Sequence, residues 1–502
     1  MKESSSKQGR KSLIRRADPK GLALLGALGL ATAFIIQGKL GVEELIGGFL
    51  MATLLLAIFY RDILRYKPDY LDKFRMLVLL GLLVILTLGS GWLAGYAMNA
   101  ISLGLGIDLM GAAAYAMPLA AGAMLVTLLF DFHTAIVFSF TISLLAGLWQ
   151  AEAAIAAYAF VGSLIGAFSV IRCKRRSALL VGGLYVLAAN IATVVVLMLF
   201  GGEFLTLKTP VALIMATISA VAVVAIVSLF LPVLESLFKI TTDISLLELL
   251  DLEQPLMKNL MISAPGTYHH SIIVGNLVEA VAESVGVNPL FARVCAYYHD
   301  IGKVKMPEYF IENQLTGASK HEKLTPHMSS MILVSHVKEG VELARQHKLP
   351  EPVIDVLSQH HGTTLITYFY EKAKGLPEGA GELSESEYRY PGPKPQSRVA
   401  ALIMIADAVE AASRVLTEPT PSRISALVDK IINHIFLAGQ LDECDLTLKD
   451  IYEIRKRFTY ILTSILHRRV EYPGFEFEEK KHEGHDKQQA EEGKVKQTAD
   501  RA

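Results

Sequence analysis

Cysteine is scarce in this 502-residue chain: Cys173, Cys295 and Cys444 are odd in number, far apart, and free of any CxxC pairing. That argues against a cysteine-based zinc site and against a disulfide framework, and it fits a reducing compartment. The three read as small packing residues. Net charge is lacking too, because 48 Lys and Arg offset 49 Asp and Glu to leave −1. No Lys/Arg-rich face with interleaved aromatics occurs in the charged half, so no DNA or RNA duplex is expected as a partner. Alternating β-branched runs are also few beyond Thr241, which speaks against a sheet scaffold there.

Apolar residues, by contrast, are in excess. They make up 52% of the chain, with a mean hydropathy of +0.40, and they concentrate before about Lys239. A membrane crossing needs about 20 apolar residues. Eight stretches meet or approach this: 21–38, 45–60, 76–98, 110–129, 135–149, 151–171, 179–200 and 211–238. The second and fifth are short, and the boundary between fifth and sixth is soft. The first follows a basic region (Lys2, Lys7, Arg10, Lys11, Arg15, Arg16, Lys20) but lacks a clean cleavage pattern. A second span follows within a few residues, so the first reads as a retained anchor rather than a signal peptide.

Positive charge sets the orientation. The basic N-terminus, a connection with Arg61, Arg65, Lys67, Lys73 and Arg75, and one with Arg172, Lys174, Arg175 and Arg176 all fall on one side of an eight-span bundle. The opposite connections hold little beyond Lys39 and Lys208. An even number of spans places the N-terminus and the C-terminal half in the cytoplasm of a multi-pass cell-membrane protein. Asp131, His133 and Glu152 sit at predicted span ends, so a transporter, which more often buries ionisable groups, is disfavoured. Small residues at 112–114 and 120–123 suit close helix packing.

From Thr241 to about Tyr472 apolar residues recur at helical spacing, predicting an all-helical domain. The segment 473–502 is dense in charge, nearly devoid of large apolar residues, and expected to be disordered, with His482 and His485 merely solvated. The chain thus reads as all-α in four parts. These are a basic cytoplasmic N-terminus over 1–20, a transmembrane bundle over 21–238, a helical domain over 239–472 and a charged tail over 473–502.

His299-Asp300, followed by Ile301-Gly302-Lys303, opens the chemistry. The pair ends a predicted helix over 289–298, with Gly302 suited to the left-handed residue that closes a helix. Alone, a His-Asp pair is weak. Further histidines strengthen it: His270 at the start of a predicted helix, His336 in mid-helix, and the pair His360-His361 before Gly362. Asp407 lies in a strongly apolar helix, where an unpaired carboxylate is costly and a cation would compensate. Imidazole and carboxylate donors without thiolate suit iron, manganese or zinc. A two-oxygen carboxylate can bridge two metals, and Asp300 is the candidate. The predicted reaction is in-line attack on phosphorus by a metal-bridged hydroxide.

His299-Asp300-Ile301-Gly302 resembles the motif of the HDIG group of HD-domain phosphohydrolases. The ordered series of His270, His299-Asp300, His336, His360-His361 and Asp407 resembles the ligand set of its binuclear members. With the motifs beginning at Ser263, Ser335 and Pro391 and the upstream spans, residues 45–472 look like the seven-transmembrane HD-domain phosphodiesterases that degrade cyclic di-AMP in bacteria. The resemblance implies hydrolysis of cyclic di-AMP to linear pApA with two divalent transition metal ions, manganese or iron. His270, His299, Asp300 and Asp407 would hold one ion, and Asp300, His336, His360 and His361 the other. Lys303 would contact the substrate phosphate or assist the leaving oxygen, and His269 would stand behind the ligands. His321, His327, His347 and His434 are expected to be surface or structural.

The family's usual extracytoplasmic domain between its first two spans is replaced here by residues 37–44 alone. Expected partners are a cyclic dinucleotide and the lipid bilayer, and a homodimer is compatible with the sequence. Two alternatives remain. One is hydrolysis of another nucleotide such as cyclic di-GMP, against which stands His361-Gly362-Thr363-Thr364 where that branch carries Gly-Tyr-Pro. The other is a receptor that binds nucleotide without cutting it. The Gly-, Pro- and Glu-rich segment 371–396 is expected beside the cleft, as a lid or as a passive insertion.

Overall fold

The computed structural model describes residues 19–37, 41–67, 74–106, 108–109, 111–314, 319–376 and 383–466. The basic N-terminal stretch through residue 18, residues 38–40 of the first connection, Lys73, residues 377–382 of the Gly/Pro-rich segment, and everything from 467 onward lie outside them. The chain is all-α: among the described residues the one β-type pairing is the isolated bridge Leu365–Arg389.

Among the described residues the apolar half forms eight helical segments. They are α1 (Pro19–Gln37), α2 (Val42–Tyr66), α3 (Phe74–Leu105), a 3-10 turn (Ala112–Ala116) running into α4 (Ala120–Leu129), α5 (Phe132–Gln150), α6 (Ala153–Ser169), α7 (Ala178–Phe200) and α8 (Lys208–Phe238). Seven are long and apolar enough to cross a membrane, the 3-10 turn and α4 counting as one. The exception, α6, has 17 residues and packs against α4, α5 and α7. Leu54, Leu184, Val221 and Leu229 stand exposed on outer faces, where hydrocarbon rather than water suits them. The backbone break before α4 frees carbonyls that lipid cannot satisfy. Tyr158 donates its hydroxyl to the Tyr115 carbonyl at 2.8 Å, and Ser219 donates to that of Met117 at 2.9 Å.

Ionisable groups do sit at span ends. Asp131 caps α5 by accepting from the Thr134 amide, and His133 pairs with Asp62 at 3.2 Å. One group escaped the sequence reading: Glu235, in the last turn of α8, is only 8% exposed.

The charged half contains α9 (Asp243–Leu249), α10 (Pro255–Ser263), α11 (Pro265–Ala282), α12 (Pro289–Tyr298), α13 (Pro326–Gln346), α14 (Glu351–Gln359), α15 (Thr367–Lys374), α16 (Arg398–Ser413), α17 (Pro421–Leu437) and α18 (Leu448–Ile465). Five of these open on proline, whose fixed φ suits the first helical position and whose missing N–H costs nothing there. Caps precede several: Asn288 accepts from the Leu290 and Phe291 amides, and Thr242 and Ser245 form a reciprocal capping box. α16 is buried on all sides from Val399 to Ala406, as an apolar helix must be. It forms the central post against which α11, α12, α14 and α17 pack.

Candidate metal centre

Five parts of the charged half aim side chains at one cleft. His270 lies in the second turn of α11, His299 and Asp300 directly follow α12, His336 is in the middle of α13, His360 and His361 follow α14, and Asp407 is on α16. Asp300 is central. Its Oδ2 lies 3.2 Å from His299 Nε2 and 3.8 Å from His270 Nε2. Its Oδ1 lies 3.3 Å from His336 Nε2 and 3.7 Å from His360 Nε2. Asp407 closes both ends, with Oδ1 3.0 Å from His270 Nε2 and Oδ2 3.7 Å from His361 Nδ1. The donors sort into two tight groups: Asp300, His336, His360 and His361, and His270, His299 and Asp407.

The turn after α12 departs from the sequence expectation in one respect. Gly302 is not left-handed. It lies in a 3-10 turn, Ile301–Lys305, and is absent from the positive-φ glycines. Its requirement is closeness: a Cβ there would fall 1.9 Å from the His336 carbonyl oxygen and 2.5 Å from the Gly340 amide. Glycine lets the Asp300 turn lie directly on α13 and brings His336 to the carboxylate.

The back of each ring is also held. His299, His336 and His360 donate Nδ1–H to the carbonyl three residues earlier, Ala296 at 2.7 Å, Leu333 at 2.5 Å and Leu357 at 2.7 Å. Each Nε2 lone pair therefore points into the cleft. His270 differs, because its Nδ1 donates to Glu410 Oε2 at 2.5 Å. Glu410 is 2% exposed and also accepts from Arg414 Nε at 2.8 Å. Glu410 is a site residue that the motif does not name; its one signal in the sequence is its place one helical turn beyond Asp407, on the same face. Glu410→Ala is expected to weaken metal binding about 10–100-fold, measured as a dissociation constant in a manganese titration. Glu410→Gln, which keeps an acceptor for Nδ1–H, should lose less, and equal binding by all three proteins would show that Glu410 does not orient His270.

Other expected residues are placed as follows. His269, expected behind the ligands, is exposed and touches the Tyr268 ring, because adjacent residues on a helix point about 100° apart. Lys303 Nζ sits between Asp300 Oδ2 at 2.7 Å and Glu312 Oε1 at 2.8 Å. Tyr390 stacks on His361, with centroids 4.3 Å apart and planes 27° apart, so the described end of the 371–396 segment lies against the cluster. His321 is structural, with Nε2–H donated to the Tyr309 carbonyl at 2.8 Å, while His327 is half-buried against Tyr388 and His347 and His434 are exposed.

Electrostatics favour cation binding. Burial disfavours ionised Asp300, but His299, Lys303 and His336 outweigh it and hold the carboxyl well below the usual range. Asp407 is likewise held low against burial, chiefly by His270. Burial also opposes a charged His270, yet Asp407, Glu410 and Asp300 push it up to about 10, so the anionic surroundings hold a proton there that a bound cation would displace. Burial and neighbouring imidazoles push His360 and His361 down, so both stay neutral and able to ligate. His270 Nε2, His299 Nε2 and Asp300 Oδ1 are buried, face the cleft, and have no well-angled hydrogen-bond partner among the described residues. Buried polar atoms without partners are costly, and divalent cations held by this donor set would satisfy them.

Comparison with known proteins gives two adjoining matches. The family described as "7TM receptor with intracellular HD hydrolase" matches residues 43–242, and the HD domain matches residues 267–412. In that order the two matches take in the membrane bundle and most of the helical domain after it. The first match takes in α2 to α8, and α1 precedes it.

Among its relatives, the cyclic-di-AMP phosphodiesterase PgpH of Bacillus subtilis (strain 168) is 40% identical over 367 residues, 72% of this chain and 51% of the relative. PgpH of Listeria monocytogenes is 43% identical over 314 residues, 62% of this chain and 43% of the relative. The chain thus spans about half the length of these curated relatives. The crystal structure of the L. monocytogenes PgpH HD domain is 49% identical, covering 43% of this chain and all of that one, with a TM-score of 0.41. The 7TM match and the apolar helices mark a multi-pass membrane protein, and the HD match with its His/Asp cluster implies divalent metal binding.

Proposed function

We propose that this chain is a membrane-bound, metal-dependent phosphodiesterase that hydrolyses cyclic di-AMP to linear pApA. The observation that carries the reading is the position of Asp300, whose two carboxylate oxygens face two separate sets of imidazoles. One carboxylate shared by two donor groups is what a pair of cations about one phosphodiester requires. The relatives named as cyclic-di-AMP phosphodiesterases support the choice of substrate.

His270, His299, Asp300 and Asp407 would hold one ion, and Asp300, His336, His360 and His361 the other. Manganese or iron suits this N/O set. When bound, such ions acidify water and offset charge on phosphoryl oxygens. The chain's own groups do the rest. The i−3 carbonyls and Glu410 orient the rings, and Lys303 places a buried positive charge beside Asp300. Gln440 Oε1 accepts from the Thr363 amide at 2.9 Å and fixes the loop after the histidine pair. That loop reads Gly362-Thr363-Thr364 rather than Gly-Tyr-Pro, which favours the adenine over the guanine dinucleotide. Basic loops on the side of the HD half support a cytoplasmic position for the domain.

The test uses the full chain in lipid nanodiscs, loaded with manganese or with ferrous iron and offered each cyclic dinucleotide separately. Conversion of cyclic di-AMP to pApA, well ahead of any cyclic di-GMP cleavage, is the expected result. Preference for the guanine substrate, or tight binding without turnover in metal-replete protein, overturns the proposal.

A further inference from the structure

The bundle and the metal centre are joined by a short polar strut. On the bundle side, Arg176 lies in the connection between α6 and α7. Its guanidinium makes a two-pronged bond to Glu248 on α9, with Nε at 2.7 Å and Nη2 at 3.1 Å. The same guanidinium reaches Glu235 Oε2 of α8 at 3.7 Å. Thr242, the residue capping α9, donates its hydroxyl to Glu235 Oε1 at 2.5 Å. One arginine and one buried carboxylate therefore tie two bundle elements to the first helix of the HD half.

α9 is in turn pinned to both ends of α12. At one end Asn288 donates to Asp243 Oδ1 at 3.3 Å. At the other, the buried Tyr298 donates its hydroxyl to the Leu249 carbonyl at 2.7 Å. Tyr298 is the residue before His299 and Asp300. The path from the bundle loop to the bridging carboxylate thus crosses two charge-assisted contacts, one seven-residue helix and one hydroxyl bond.

We infer that Arg176, a residue of the membrane bundle, is a positioning residue for the metal centre, acting through α9 on the helix end that carries His299 and Asp300. The inference rests on reading that cluster as the metal centre, and it gives the bundle a means of regulating it. A shift of the α6–α7 connection relative to α8 pulls on Glu248, turns α9, and displaces Tyr298 and the two ligands after it. Arg176 and Glu248 are themselves 40% and 46% exposed, and exposed pairs contribute little to folding. Breaking this one loosens the strut without unfolding the domain.

The test is a charge reversal in the full chain in nanodiscs. Arg176→Glu is expected to speed amide exchange over residues 289–305 and to weaken manganese binding, each by roughly fivefold. Turnover of cyclic di-AMP should fall to a similar degree at nearly constant KM, because metal geometry changes while the substrate surface does not. Adding Glu248→Arg restores the pair in reverse and should recover most of the loss, and Arg176→Lys should lie between. Unchanged exchange over 289–305 in Arg176→Glu, or no recovery in the double variant, overturns the inference. If the unaltered chain fails to cleave cyclic di-AMP, exchange and manganese titration still decide the coupling, so the two failures are distinguishable.

Discussion

Asp300→Ala is expected to abolish phosphodiester hydrolysis while the protein still inserts into the membrane with its helical content intact. Both donor groups contain or face this one carboxylate, whose oxygens lie 3.2–3.8 Å from four imidazoles. On the proposed assignment its removal would take a ligand from both cations at once and leave the remaining histidines as two incomplete sets. The transition-state stabilisation that bound ions supply is several kcal/mol, so turnover should drop by about a thousandfold or more. Fold loss is limited because Lys303, which pairs with Asp300, keeps Glu312 as a partner at 2.8 Å. Elemental analysis should find fewer than two ions per chain. Two ions and ordinary turnover in the variant would end the assignment of Asp300 as the bridge.

Gly302→Ala should be nearly as damaging, for a reason the motif itself does not state. In most places this change stabilises a protein slightly by restricting the unfolded chain. Here the added methyl meets backbone, not a yielding side chain, at 1.9 Å and 2.5 Å. α13 must move away, and His336 moves with it, out of reach of Asp300 Oδ1. Overpacking of this kind costs about 3 kcal/mol, which for a domain of this size lowers the melting temperature by roughly 5–10 °C. Gly340→Ala is the control from the other side of the same contact. Its Cβ would sit 3.4 Å from the nearest atom, an ordinary contact, and alanine favours the helix it occupies. Thermal unfolding with metal analysis separates the two: Gly302→Ala destabilised and metal-poor, Gly340→Ala near the unaltered protein. Equal stability in both would refute the close-approach account.

Several features were legible in the residues because each depends on near neighbours in sequence. Eight apolar stretches correspond to eight helical segments, since spanning hydrocarbon demands length and hydropathy, which are local properties. Helix starts in the HD half follow from proline and its capping neighbours, as at Asn288-Pro289. The end of α12 at Tyr298 was readable from the pattern before His299-Asp300. The seven donor residues could be gathered because histidine and aspartate in apolar helices are expensive unless something holds them.

What the sequence hid depends on which face meets which. His269 and His270 are equally good ligands by type, and only the orientation of α11 against α16 buries one and exposes the other. Glu410 looked like one more polar residue of a core helix until packing set it behind His270. Lys303, expected to contact the substrate phosphate or assist the leaving oxygen, stands between two carboxylates that its sequence neighbours do not announce. Nothing in the apolar run marks Glu235, and the return of the α6–α7 connection makes it a junction with Arg176 and Thr242. Residue chemistry and spacing by themselves thus determined an all-helical, membrane-spanning chain with the donor inventory of a two-cation site. Tertiary packing alone decided how the donors divide about Asp300, why glycine must stand at 302, and how the bundle touches the site, because such distances arise between segments that the chain order leaves tens of residues apart.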